Sequence, residues 1–185
     1  KNEDLVFDIA TGFNKHIGFP LSVDVSVGAF EWFTAGVHSG VIPFLKRNKC
    51  IRMKTDCNQS GLIKLAKGEA VVHLGPLWDV GGYLKADHLA GRLSFLFGYT
   101  FINQCADWVS PVECQFDAII VNSDAGLQGW RMHTINFLAE YDFTNEGSMC
   151  GPRLGFLINA QVGGRKIFKT NMFGGDFGLD IAWGW

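Results

Sequence analysis

The chain has 185 residues, 48% of them hydrophobic and 14% aromatic, and its 16 Lys and Arg nearly balance 18 Asp and Glu for a net charge of −2. That apolar content excludes a disordered chain and suits one domain that buries much of its surface or turns it to lipid. A balanced charge with no basic block and no RNA-binding aromatic motif argues against nucleic acid as a partner, and no apolar stretch approaches the roughly 20 residues that a membrane-spanning helix needs.

Lys1, Asn2, Glu3 and Asp4 lead directly into alternating residues instead of a cleavable leader, so the numbering is expected to start at a mature or trimmed N-terminus. Successive side chains of a strand point to opposite faces, and period-2 stretches recur along the chain between clusters of Gly, Asn, Asp, Pro and Ser. The first predicted strand, about Asp4 to Phe13, sets Leu5, Phe7 and Ile9 against Asp4, Val6, Asp8 and Ala10. The second, about Gly18 to Ala29, sets Phe19, Leu21, Val23, Val25 and Val27 against Pro20, Ser22, Asp24, Ser26 and Gly28. After a turn at Phe30, Glu31 and Trp32, a third strand carries Phe33, Ala35, Val37 and Val41 opposite Thr34, Gly36, His38 and Gly40.

A polar stretch from Lys46 to Gly61 precedes a fourth strand between Lys64 and Leu84, with Pro76 as its point of kinking or bulging. A turn near Lys85 to Gly91 leads to the fifth, in which Leu93, Phe95, Phe97, Tyr99 and Phe101 oppose Arg92, Ser94, Leu96, Gly98 and Thr100. The segment Asn103 to Gly129 reads as a long loop whose Phe116 to Val121 run is a candidate extra strand. The sixth strand, about Trp130 to Phe143, places Ile135, Phe137, Ala139, Tyr141 and Phe143 against Thr134, Asn136, Leu138, Glu140 and Asp142. The seventh, Arg153 to Gly163, places Leu154, Phe156, Ile158, Ala160 and Val162 against Arg153, Gly155, Leu157, Asn159 and Gln161. The last, Phe173 to Trp185, sets Phe177, Leu179, Ile181, Trp183 and Trp185 against Asp176, Gly178, Asp180, Ala182 and Gly184.

Alternation alone leaves open which face meets solvent, so a soluble lipocalin-like barrel competes with a membrane barrel. Residue size favours the membrane. The polar face is built largely of Gly, Ser, Ala and Asp, as a crowded interior requires, and strands of about 10 residues match a tilted bilayer crossing. The predicted fold is therefore all-β, a closed antiparallel transmembrane barrel of about eight strands in one domain, whose closure satisfies the backbone groups that lipid cannot. Glycines at positions such as 28, 36, 98, 155 and 178 make room for an interior network of Asp24, Arg92, Glu140, Asp142, Arg153, Asn159 and Asp180. Phe177, Trp183, Trp185, Tyr99 and Tyr141 are the expected lipid-facing aromatic girdle. An even strand count puts both termini on one side and the long segments 46–61 and 103–129 outside.

Cys50 and Cys57 lie in one of these segments and Cys105 and Cys114 in the other, which predicts two loop-closing disulfides in an oxidising compartment and leaves Cys150 over. Reduced thiols packed as small hydrophobes are the alternative. Without a C-x-x-C spacing, and with scattered histidines, no metal site and no cofactor are expected.

In architecture the whole chain resembles the small eight-strand bacterial outer-membrane barrels of the OmpA and OmpX class. The resemblance implies a bacterial outer-membrane location, contact with outer-membrane lipid, and recognition of the C-terminal strand by the barrel-assembly machinery; Trp185 stands where that family more often ends in Phe. Some barrels of this size resemble lipid-modifying enzymes, so His38 beside Ser39 and His133 beside Thr134 are the candidates for a base and nucleophile. Adjacent strand residues face opposite ways and cannot form such a pair without a bulge, so no catalytic residue is expected. Arg165, Lys166 and Lys169 read as a solvated loop more than as a phosphate site. The expected role is structural or adhesive through stiffened outer loops, with Cys150 a link to other envelope proteins. A narrow porin or ion channel is the first alternative and a soluble ligand-binding barrel the second.

Overall fold

The computed structural model describes residues 15–61, 64–89, 92–143, 150–167 and 169–181. The expected first strand from Asp4 to Phe13, the girdle residues Trp183 and Trp185, and the side chains of Asp180 and Cys150 lie outside the described residues. The fold is all-β, with 65% strand and 5% helix. In chain order the elements are β1 (Leu21–Ala29), β2 (Phe33–Ile42), β3 (Arg47–Arg52), β4 (Lys67–His73), β5 (Leu77–Leu89), β6 (Leu93–Gln104), β7 (Trp108–Pro111), α1 (Ala118–Asn122), β8 (Trp130–Asp142), β9 (Cys150–Arg165) and β10 (Asn171–Ile181). Two compact units result, one built on a seven-stranded sheet and one on a three-stranded sheet.

The larger sheet runs β1-β2-β5-β6-β8-β9-β10, a meander in which each strand pairs with the next one the sheet retains. Six of the eight predicted strands and the second part of the fourth are its members. Its register fixes which residues share a face. From β8 through β9 to β10, Tyr141, Leu154 and Phe177 form one row and Phe137, Ile158 and Phe173 another. On the opposite face, Asp142, Arg153 and Gly178 form a row beside Glu140, Gly155 and Asp176. A bulge between His133 and Thr134 shifts the β8–β9 register near the end of the pair. The β1–β2 turn holds Phe30 at φ 66°, a left-handed conformation that disfavours side chains, and the Phe30 ring stacks on Trp32 at 6.0 Å. Among the described residues the sheet is open, with β1 and β10 as its edges.

The expected fourth strand is in fact two. Pro76 has no N–H for a ladder, and a side chain at Gly75 would run into the carbonyl of Cys105, so the chain breaks there. β4 goes to the small sheet and β5 to the large one. The two long segments are likewise not independent loops. β3 pairs antiparallel with β4, Cys50 opposite Glu69, and β4 pairs with β7, Val72 opposite Val109.

The candidate strand at Phe116 to Val121 is largely helical instead: Asp117 caps α1 by accepting from Ile119 N at 2.7 Å. Every buried apolar side chain among the described residues belongs to this smaller unit: Met53, Ala70, Val72, Val109, Phe116 and Val121. Burial of a side chain the size of Met53 or Val109 contributes roughly 1.5–3 kcal/mol. This core takes the place of the expected disulfides. Cys50, Cys57, Cys105 and Cys114 are exposed free thiols. Cys50 is held in the β3–β4 ladder and Cys57 lies beyond the end of β3, while the extended strand β7 separates Cys105 from Cys114.

Candidate functional site

The two faces of the seven-stranded sheet are inverted relative to those of a soluble protein. On β9, Gly155 and Gln161 are buried, whereas Leu154, Phe156 and Val162 are exposed. On β6 the same alternation buries Gly98 between exposed Phe97 and Tyr99, and on β2 it buries Gly36 beside exposed Val37. At the edges both faces are open: all nine residues of β1 are exposed, Val23 at 66%, and on β10 Phe177 is 72% exposed. Of the expected girdle, Tyr99, Tyr141 and Phe177 are exposed on the apolar face.

Small residues on the covered face let polar side chains cross it. A side chain at Gly36 would collide with the Tyr83 ring, and that ring's hydroxyl donates to Asp24 Oδ1 at 3.1 Å. One at Gly81 would meet His38, whose Nε2 lies 3.9 Å from Asp79 Oδ2. Arg153 Nε lies 3.7 Å from Glu140 Oε1, with Gly178 and Gly155 giving the two side chains room.

Some of the residues expected to form a polar network lie together on this face. Glu140 and Arg153 meet, and Asp142 stands opposite Arg153 in register, its N–H donating to the Arg92 carbonyl at 3.0 Å. Asp24 is bonded to a tyrosine the sequence reading did not single out. Asn159 instead lines a cavity of about 390 Å3 on the same face, with Thr100, Thr134, Asn136, Gln161 and Met172 among its other walls.

The two histidine pairs form no nucleophile–base site. Thr134 donates to the Thr100 carbonyl at 3.2 Å, while His133 turns to the aromatic face, its Nδ1 2.6 Å from the Tyr99 hydroxyl and its ring 4.7 Å from Phe101. Ser39 donates to the backbone carbonyl of Asp79 at 3.1 Å, not to His38.

The smaller unit contains a second cavity that the sequence reading missed. It measures about 90 Å3, and His16, Lys54, Lys64, Asp107 and Asp124 line it together with the apolar side chains of the core. Burial pushes the His16 pKa down, against a backbone hydrogen bond to Leu45 that raises it. Burial pushes the Asp107 carboxyl up, opposed by hydrogen bonds from Gly75 N at 2.8 Å and Gln104 Nε2 at 3.4 Å. Lone polar residues from four separate segments gave no spacing signal to follow.

No protein-family model matches the chain, and neither a curated protein nor a solved structure is significantly similar to it. Among the described residues no group of His, Cys, Asp and Glu is arranged to hold a metal ion, and no helix is long and apolar enough to cross a membrane.

Proposed function

We propose that the chain is a closed bacterial outer-membrane β-barrel of about eight strands, of which the larger sheet supplies seven. The observation that carries this reading is the inverted burial: Gly155, Gln161 and Gly98 are covered while Phe156, Val162 and Tyr99 are exposed. In a soluble barrel the large apolar side chains fill the interior, and a monomer rarely leaves so extensive an apolar face bare. Hydrocarbon is the environment in which that face costs nothing, and a closed ladder is the only way for strands to stand in it. Seven strands of a meander plus one more give the even count such barrels use.

The role is structural or adhesive. The connections from β2 to β5 and from β6 to β8 carry the smaller unit, whose own apolar core gives it a defined surface without disulfides. The Glu140–Arg153 pair favours a plugged interior over an open channel.

Electrophoretic mobility of the chain folded in detergent, compared with and without boiling, tests the proposal. A closed barrel runs faster before boiling. A chain that remains a monodisperse monomer without detergent and shows no mobility shift sinks the membrane reading.

A further inference from the structure

The small cavity holds one buried ring nitrogen without a hydrogen-bond partner and one buried ammonium whose hydrogen bonds go only to neutral groups. His16 is 93% buried in the sense that only 7% of its surface is exposed, and its Nδ1 lies 2.9 Å from the Leu45 carbonyl. A carbonyl only accepts, so Nδ1 carries the proton and Nε2 presents a lone pair. That buried Nε2 has no hydrogen-bond partner. It needs a donor.

Lys54 is as buried, at 6% exposure, and its ammonium donates to the Cys57 carbonyl at 3.1 Å and to Ser123 Oγ at 3.3 Å. Both partners are neutral, and among the described residues no carboxylate lies within ion-pair distance of it. The neighbouring pair Lys64–Asp124 is already neutralised. Lys54 and the Lys64–Asp124 pair line the same cavity as His16 and Asp107. A buried ammonium without a counter-charge is costly, so the site calls for an anion.

We propose that this cavity binds a hydrogen phosphate group, whose P–OH donates to His16 Nε2 and whose anionic oxygen accepts from Lys54. A carboxylate or sulfate would meet Lys54 equally well but brings no proton for His16 near neutral pH, and water would satisfy His16 without neutralising Lys54. The cavity of about 90 Å3 has room for a phosphate group. Ile51, Val72, Val109 and Val121 form its apolar walls, and a wall of low dielectric strengthens each charged hydrogen bond made inside. The site stands on the smaller unit alone and does not depend on the membrane reading.

Isothermal titration of the folded full-length chain with inorganic phosphate, glycerol 3-phosphate and sulfate, at pH 7.5 in a phosphate-free buffer, tests the proposal. One saturable phosphate site is expected, with sulfate at least tenfold weaker. Glycerol 3-phosphate, which at this pH is largely a dianion without a P–OH, should bind more weakly than inorganic phosphate, and binding equal to phosphate would overturn the assigned hydrogen bond to His16. Lys54→Met should weaken phosphate at least tenfold. His16→Phe should reduce phosphate to the level of sulfate, while His16→Gln, which restores an acceptor, should retain part of the preference. The selectivity of the unaltered chain needs no variant to fold: absence of saturable phosphate binding, or equal binding of sulfate, overturns the proposal.

Discussion

Glu140 and Arg153 face each other across β8 and β9, Oε1 to Nε at 3.7 Å, in a space left by Gly155 and Gly178. Neither side chain is fully buried, at 23% and 40% exposure, so the pair contributes modestly. Removing one member leaves the other charge without its nearest opposite charge, a cost that removing both avoids. Glu140→Ala should destabilise the folded chain by about 1 kcal/mol, and adding Arg153→Met should recover part of that loss. Urea titration of the singles and the double variant in detergent reads the coupling directly. Additive losses would mean the pair does not act as one.

Gly36 and Gly28 offer a paired test of the covered face. A Cβ at position 36 runs into the ring of Tyr83 and forces it off Asp24, whereas one at position 28 meets only the Phe33 carbonyl, 4.0 Å away. Gly36→Ala should cost roughly 1–3 kcal/mol as an overpacked contact. Gly28→Ala should stay within about 0.5 kcal/mol. Equal effects in equilibrium unfolding would show that the face is not crowded.

Phe156 lies in the middle of β9 on the exposed apolar face. Phe156→Arg should destabilise the chain by about 2–4 kcal/mol when it is folded into lipid vesicles, the range for a cation at mid-bilayer on a barrel's outer surface. On an exposed surface facing water the same change would stay within about 0.5 kcal/mol. Folding free energy in vesicles therefore separates the two environments.

The smaller unit should respond to pH through His16 and Asp107. Burial holds the folded-state pKa of His16 below its ordinary 6.5, with Lys49 and Arg47 adding to the effect. The unfolded chain therefore takes up the proton first, and stability, complete above about pH 6.5, is lost as the pH falls through that value. Asp107 has the opposite sign: its raised pKa means that ionisation penalises the folded state, and the penalty is relieved as the pH falls towards 3.8. Urea midpoints in a phosphate-free buffer should fall between pH 7.5 and 5.5 for the native chain and fall less for His16→Asn. Asp107→Asn should be the more stable form at pH 7.5. Parallel curves for the native chain and His16→Asn would remove His16 from the account.

Much of the large sheet was legible because alternation is a property of the covalent chain. Successive Cβ atoms point to opposite faces whatever the strand pairs with, so Leu154, Phe156 and Val162 could be assigned to one face and Arg153, Gly155 and Asn159 to the other before any pairing was known. The Glu140–Arg153 contact followed from the same reading. The Asp24 partner did not, because Tyr83 lay towards the end of a predicted strand that mixed two real ones, β4 and β5. The loops were misread for a related reason: cysteine spacing suggests a closed loop, but Cys50 and Cys105 occupy backbone positions that hydrogen bonding had already claimed.

By itself the sequence determined the all-β class, six of the strands and the sorting of their side chains between two faces, all of which depend on neighbours one and two residues apart. Only the tertiary structure decided that segments far apart in the chain build a unit with its own core. Val72 meets Val109, and His16 and Lys54 reach one cavity, through contacts between residues dozens of positions apart. Such contacts form because packing and hydrogen bonding favour them in three dimensions, and no local period records them.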